Sequence, residues 1–267
     1  MEDLRDEIFQ SLNGKRANAV IVANGAGVIA GSEKAKYEAE RLGLRVIKML
    51  EEGSLVTRGD VIAALEGNVK EVIIGEDHLV GRISKPSGIA TAAYNFVKAA
   101  GDKPRIVSGA WKKMPLELKE TIRKAVHTGG ACIRISKDPF VYLDKNYIEA
   151  FGNIDRSLRA VAHLNGYLKV IQLKGKHKDI GAEAREAAGL GADILFIDTG
   201  DINDVGKVIE NIKEMNLRDR IQIAFSGGVQ LEQMDRIKAL DVDIVDIGAA
   251  IMDAPLLDLK YEVRSVQ

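Results

Sequence analysis

The chain has 267 residues, 46% of them hydrophobic and 29% charged, enough for one barrel-sized domain with a smaller companion and too apolar for a disordered chain. With 38 basic against 39 acidic side chains the formal charge is −1, so no global field draws the protein to nucleic acid or to an anionic membrane. Cys132 is the only cysteine, which excludes an internal disulfide and a cysteine metal cluster, and no two histidines have zinc-ligand spacing.

In chain order, Leu4, Ile8, Phe9 and Leu12 recur at helical spacing over 3–13, and Asn13-Gly14 ends that helix. The start, Met1 to Glu7, is charged where a signal peptide needs an apolar core, and no apolar run reaches bilayer length, so the sequence predicts a cytoplasmic protein. Strands are expected at Ala17–Ala23 and, after the turn Asn24-Gly25-Ala26-Gly27, at Val28–Gly31. Ser32 is placed to cap a helix running to Leu42-Gly43, and Arg45–Leu50 and Val61–Leu65 read as further strands. Val69 to Ala100 is mainly helical, with a break predicted at Lys85-Pro86-Ser87-Gly88 because proline cannot donate to the helix ladder.

Beyond Asp102-Lys103-Pro104 the chain alternates strand and helix with short connections, and its strands are continuously apolar, the pattern of buried parallel strands. The strands expected are Arg105–Ser108, Ala131–Ile135, Phe140–Leu143, Leu168–Leu173, Asp193–Ile197, Ile221–Phe225 and Asp243–Ile247. Helices are expected near 115–127, 154–164, 179–189, 202–215 and 231–239. The tail Leu257–Val263 reads as a strand returning to the first domain. The predicted division is therefore a domain over 1–103, a (β/α) barrel over 104–256 and a tail over 257–267.

Two consecutive strands end in small residues: Ile221–Phe225 runs into Ser226-Gly227-Gly228, and Asp243–Ile247 into Gly248-Ala249-Ala250. Glycine lets a ligand approach the backbone, and loops closing successive barrel strands commonly hold a phosphate. Ser226, Gly227, Gly228, Gly248 and Ala249 are the expected phosphate-binding residues. Gly227 is read as a position where a bulky side chain would block the ligand and spare the fold.

The strings Gly27-Val28-Ile29-Ala30-Gly31, Arg58-Gly59-Asp60-Val61-Ile62-Ala63, Ser87-Gly88-Ile89-Ala90-Thr91, Gly129-Gly130, Phe196-Ile197-Asp198, Ser226-Gly227-Gly228 and Ile247-Gly248-Ala249 are individually short. In this order and spacing they resemble quinolinate phosphoribosyltransferase, also called nicotinate-nucleotide pyrophosphorylase, over nearly the whole chain. The resemblance implies an α/β sandwich domain followed by an incomplete (β/α) barrel, assembled as a homodimer or higher homo-oligomer. It further implies a pentosyltransferase that joins a pyridine dicarboxylate to phosphoribosyl pyrophosphate with magnesium, releasing pyrophosphate and carbon dioxide. A lipoyl or biotinyl module, suggested by Ile47-Lys48-Met49-Leu50 before Val56–Leu65, is disfavoured by the helix at Ser32–Leu42.

The acceptor end departs from that family. Its Glu-Arg-Thr stands here as Glu76-Asp77-His78, its Thr-Arg-Lys as Ala110-Trp111-Lys112, its Asn-His-Arg as Cys132-Ile133-Arg134, and its Lys-Asp-Asn-His as Asp144-Lys145-Asn146-Tyr147. A strand glutamate of the family falls near Gln172 or Lys174. Trp111 is expected in the core or at an interface, and His78 and His127 in structural roles. The expected catalytic set is Lys112, Arg134, Asp144, Lys174 and Asp198, with the aspartates facing a cationic ribosyl transition state and the basic groups facing pyrophosphate. The expectation is a phosphoribosyltransferase whose acceptor is not quinolinate. The alternatives are a non-catalytic ribose-phosphate-binding or regulatory protein, and a quinolinate enzyme with a rebuilt pocket.

Overall fold

A computed structural model describes residues 3–176 and 178–267, so Met1 and Glu2 of the charged start lie outside the described residues. In chain order the elements are α1 (Leu4–Ile8), β1 (Arg16–Ala23), β2 (Gly27–Val28), α2 (Ser32–Arg41), β3 (Arg45–Met49), β4 (Leu55–Val56), β5 (Val61–Asn68) and α3 (Val69–Ala100). There follow β6 (Arg105–Val107), α4 (Leu116–Thr128), β7 (Phe140–Leu143), α5 (Lys145–Phe151), α6 (Ile154–Val161), β8 (Leu168–Leu173), α7 (Ile180–Gly189) and β9 (Ile194–Asp198). The chain ends with α8 (Ile202–Glu214), β10 (Gln222–Ser226), α9 (Met234–Lys238), β11 (Ile244–Asp246), α10 (Ala249–Met252) and β12 (Leu259–Val266). It divides into two compact units, one of Met1–Tyr94, Met114–Gly130 and Asp253–Gln267, the other of Asn95–Lys113 and Ala131–Met252. Among the described residues no helix is long and apolar enough to cross a membrane.

The first unit is built on a four-stranded sheet in the order β12-β1-β5-β3, whose neighbouring strands are antiparallel. Alternation along β1 turns Ala17, Ala19, Ile21 and Ala23 inward, where they meet Ile62, Leu65, Leu79 and Ile83. The tail strand β12 pairs with β1, and Tyr261 on it donates its hydroxyl to the Val72 carbonyl at 2.6 Å. Burial, with the Glu76 charge behind it, pushes that phenol up to about 12.

The break predicted at Pro86 does not occur: α3 runs through it. Proline withdraws the N–H that would bond the Arg82 carbonyl, and Gly31 packs its backbone against that oxygen. A Cβ on Gly31 would stand 2.0 Å from it. The chain also ties this turn down from its tail, with Leu257 N–H donating to the Ser84 carbonyl at 3.0 Å and the Ser84 hydroxyl to the Leu257 carbonyl at 2.7 Å. Ser87 and Thr91, one and two turns on, accept from Ala30 N–H and Val28 N–H, both at 2.9 Å. Ser32, the expected cap of α2, is instead its first residue, and the cap position belongs to Gly31 at φ +86°. Because glycine has no side chain to cap with, Glu52 supplies the acceptor, taking Gly31 N–H at 2.9 Å and Glu33 N–H at 3.2 Å.

The second unit holds a six-stranded, all-parallel sheet in the order β6-β11-β10-β9-β8-β7, an incomplete (β/α) barrel. Its interior is Val107, Ile135, Val170, Ile194, Phe196, Ala224 and Ile244. The strand expected at Ala131–Ile135 is reduced to a single bridge, Cys132 to Val107. Side chains take its carbonyls in place of a ladder: Ile133 accepts from Trp111 Nε1 at 3.0 Å and Ile135 from Arg105 at 2.6 Å. At the amino ends of the strands, Asp243 joins Arg218 and Ile223 N–H, at 2.8 and 2.7 Å, to Lys103 at 2.9 Å, which locks β11 against β10.

Alanine at Gly31 should lower the melting temperature more than alanine at Gly43, since both positions carry positive φ but nothing lies within 4 Å of a Cβ on Gly43. The left-handed conformation costs each variant about 1–2 kcal/mol, and the collision with the Arg82 carbonyl adds about 1–3 kcal/mol at Gly31 alone. Equal melting temperatures in calorimetry would mean that the α3 backbone yields.

Candidate active site

Parallel strands deliver their last residues to one edge, and here that edge carries Gln172 and Lys174 from β8 and the residue after it, Asp198 from β9, Ser226 from β10 and Asp246 from β11. Lys174 Nζ lies 2.9 Å from Asp198 Oδ2 and donates to the Asp198 carbonyl at 2.8 Å. Gln172, 7% exposed, donates from Nε2 to Asp198 Oδ2 at 2.6 Å and accepts Lys145 N–H on Oε1 at 2.6 Å, so its amide has one orientation. Buried Glu183 accepts the N–H groups of Lys174 and Gly175 at 3.1 and 2.8 Å, fixing the turn that aims Lys174. Lys145, Gln172, Lys174, Lys176, Lys178 and Glu183 line a pocket beside this pair.

Asp246 accepts Gly109 N–H on Oδ1 at 2.9 Å, and the Ser226 hydroxyl donates to its carbonyl at 3.2 Å. Burial raises the Asp246 carboxyl above the ordinary aspartate value; the Gly109 bond and Lys112 oppose the rise and the Asp198 charge adds to it. Tyr142 stands edge-on to Phe196 with ring centres 5.4 Å apart, and Lys112 Nζ lies 5.8 Å from its ring centre. Burial, followed by the charges of Asp198, Asp246 and Asp144, drives its phenol far above the usual value.

Three residues expected at the site, Lys112, Lys174 and Asp198, are thus brought together. Asp144 directly follows β7 at the same edge and its charge acts on Tyr142, while its Oδ1 accepts Asn146 and Tyr147 N–H at 2.9 and 3.2 Å, capping α5. Exposed Arg134 lies 5.1 Å over the ring of Phe140, the first residue of β7, and so at the other end of a parallel strand. Asp77 is exposed and pairs with Arg5 at 3.3 Å, while His78 Nδ1 faces buried Glu38 at 3.4 Å. Asp246 escaped the sequence reading, which saw it only inside an apolar strand; the signal was a carboxylate in a buried run directly ahead of Ile247-Gly248. Among the described residues no three His, Cys, Asp or Glu side chains could together hold a metal ion.

Gly227 and Gly228 have φ +116° and +84°. A Cβ on Gly227 would stand 2.3 Å from Gly200 N, so this glycine is required by the packing of two loops, and a bulky residue there would disturb the loops themselves. A Cβ on Gly228 meets nothing within 4 Å, and one on Gly248 only Ala110 at 3.8 Å. The positive φ of Gly228 by itself favours glycine, whereas neither packing nor a positive φ demands it at Gly248.

The raised Asp246 carboxyl holds its proton more tightly in the fold than in the unfolded chain. Its contribution to stability is therefore present at low pH and lost as pH rises from the ordinary aspartate range through the raised value. Asp246→Asn keeps an acceptor for Gly109 N–H and removes the titration. It should raise the melting temperature relative to the wild type at about pH 7 and lose that advantage near about pH 4; a difference independent of pH would contradict the shift.

Comparison with known proteins places this arrangement. The model of the quinolinate phosphoribosyl transferase C-terminal domain matches residues 89–262, and that of the N-terminal domain residues 6–87. A probable nicotinate-nucleotide pyrophosphorylase [carboxylating] of Methanothermobacter thermautotrophicus is 26% identical over 100% of this chain and 95% of its own. One of Archaeoglobus fulgidus is 28% identical over 93% and 95%. The solved nicotinate-nucleotide pyrophosphorylase of Pyrococcus furiosus shares the fold with a TM-score of 0.86 at 23% identity, over 99% of this chain and 74% of that one. With both domain models matched in order, the chain belongs to the quinolinate phosphoribosyl transferase family of pentosyltransferase enzymes.

Proposed function

We propose that the enzyme transfers the phosphoribosyl group of phosphoribosyl pyrophosphate to a nitrogen heterocycle less anionic than quinolinate. The 5-phosphate would lie between Ser226–Gly228 and Gly248–Ala249, a reading supported by Gly248, where neither packing nor a positive φ calls for glycine. Asp198, at the end of β9, is suited to a ribose hydroxyl and to the cationic ribosyl transition state, with Lys174 and Gln172 fixing its carboxylate. Magnesium fits as a partner of the substrate's phosphates, since an ion of this kind takes one or two carboxylates and several waters. Asp198 would hold one of those waters, and the ion when bound would neutralise charge on the departing pyrophosphate. Lys112 and Lys174 face the same leaving group.

The observation that carries the acceptor assignment is the pairing of cations with carboxylates at this edge. Lys174 is paired with Asp198 and Lys178 with Glu186 at 2.8 Å, and Lys112 is opposed by Asp246, while Lys145 and Lys176 line the adjoining pocket with Glu149 and Glu183. Arg134 lies over Phe140, at the opposite end of β7. A pyridine dicarboxylate would therefore meet carboxylates set beside the cations that two desolvated carboxylates require.

Quinolinate itself is the second reading, favoured by the names of the relatives, which describe carboxylating nicotinate-nucleotide pyrophosphorylases. One assay separates the two. Calorimetry should register binding of phosphoribosyl pyrophosphate with magnesium, whereas added quinolinate should yield no nicotinate mononucleotide. Turnover of about 1 per second or faster with quinolinate would establish the second reading.

The enzyme is also proposed to be a homodimer, the assembly that the family resemblance implies. Sedimentation at micromolar concentration should give about twice the 29.0 kDa chain mass; a stable monomer would contradict it.

A further inference from the structure

We propose that the Tyr142 hydroxyl binds the acceptor, donating a hydrogen bond to an exocyclic oxygen of an aromatic nitrogen heterocycle. This rests on the phosphoribosyl-transfer reading above and names, for the same site, the group that the acceptor presents.

Tyr142 lies on β7, half-buried, and packs against the interior cluster of the parallel sheet, so its side chain is on the inner face. Its ring meets that of Phe196 on β9 edge-on, with centres 5.4 Å apart and planes at 74°. In the strand register Tyr142 is level with Val170, whereas Phe196 is level with Gln172, two residues nearer the carboxyl end of β8. The contact therefore carries the ring across β8 and towards the carboxyl edge. From the opposite edge of the sheet, past the end of β6, Lys112 Nζ comes within 5.8 Å of the ring centre.

The hydroxyl is the polar group still open at this place. Among the described residues it has no hydrogen-bond partner, and its oxygen is not sealed from solvent. A phenol in a packed setting ordinarily finds a partner. The polar groups nearby are engaged with one another: Gln172 and Lys174 hold Asp198, and Asp144 caps α5. Burial, followed by the charges of Asp198, Asp246 and Asp144, keeps the phenol protonated, so it offers a neutral O–H.

Strand order separates the acceptor from the sugar. The phosphate is assigned to the loops after β10 and β11 and the ribose to Asp198 on β9, and β7 lies beyond them at the sheet's edge. Lys112 is assigned to the departing pyrophosphate, and its approach to the ring brings Tyr142 beside the ribose carbon where leaving group and acceptor exchange. There a ring nitrogen forms the bond to carbon while the carbon–oxygen bond to pyrophosphate breaks and its electron pair leaves with the pyrophosphate. That nitrogen must keep its lone pair free, so the hydroxyl's partner is an atom outside the ring. A carbonyl or a single carboxylate supplies such an oxygen, and either keeps the acceptor less anionic than quinolinate. A site built to hydrogen-bond one substrate atom rejects analogues that lack it.

The test uses the full chain saturated with ribose 5-phosphate, which has no pyrophosphate to lose, and measures by calorimetry the affinity for nicotinamide, nicotinate and pyridine as probes. Tyr142→Phe removes one oxygen and keeps the ring. The wild type should bind nicotinamide or nicotinate more tightly than pyridine, and the tighter of the two identifies a carbonyl or a carboxylate as the partner. The variant should bind that probe roughly three- to tenfold more weakly, with pyridine unaffected. An equal loss for pyridine would trace the effect to the ring and overturn the assignment, as would unchanged affinities or a loss confined to ribose 5-phosphate. A wild type that binds ribose 5-phosphate and none of the three probes would overturn it while leaving the transferase reading in place. Failure of the wild type to bind ribose 5-phosphate would remove both.

Discussion

Lys174 is held between the carboxylate and the carbonyl of one residue, Asp198, and the functional edge depends on that pairing. Without the lysine, Asp198 would stand as an uncompensated acid two strands from Asp246, with its charge acting on the partly buried Tyr142. Without Asp198, Lys174 would offer an open cation to any anion. Gln172 reinforces the pair with an amide where a carboxylate would repel Asp198, and it passes the constraint to α5 through Lys145 N–H.

The first unit depends on a different constraint, the closeness of backbones. Gly31 lies on the Arg82 carbonyl, Gly88 on that of Pro255, and Gly129 on that of Ala90, with hypothetical Cβ distances of 2.0, 1.9 and 2.3 Å. Side chains could not occupy these positions without moving the backbone. Ser87 and Thr91 meanwhile bind the backbone of 28–30. The short glycine- and serine-bearing strings through which the chain resembles its family are, in this unit, largely the record of such contacts. Those strings are consequently good markers of fold and poor markers of acceptor.

Much of the fold was legible because periodicity and burial agree: Phe140–Leu143 and Leu168–Leu173 have the predicted bounds, and the other parallel strands differ by a residue or two at their ends. The errors have local causes. Pro86 reads as a breaker in isolation, but the carbonyl it orphans meets Gly31, far away in sequence. Ala131–Ile135 has the composition of a strand, yet Trp111 and Arg105 take its carbonyls. At the candidate site, Lys174 and Asp198 are legible as strand-end residues because strand ends can be read in a parallel sheet, and the two are paired. Asp144 and Arg134 occupy strand-adjacent positions too, and only geometry shows that one caps a helix and the other covers Phe140. Asp246 was hidden because pattern alone does not say which acid in a buried strand reaches the carboxyl edge of the sheet.

A crystal structure with ribose 5-phosphate bound tests the central claim, that the strand-end edge is a ribose-phosphate site, most directly. The phosphate should lie against the backbone of Gly228 and Gly248-Ala249 with the ribose turned towards Asp198, the Lys174 pair intact. A phosphate seated instead among Lys145, Lys176 and Lys178, in the pocket beside β8, would contradict it.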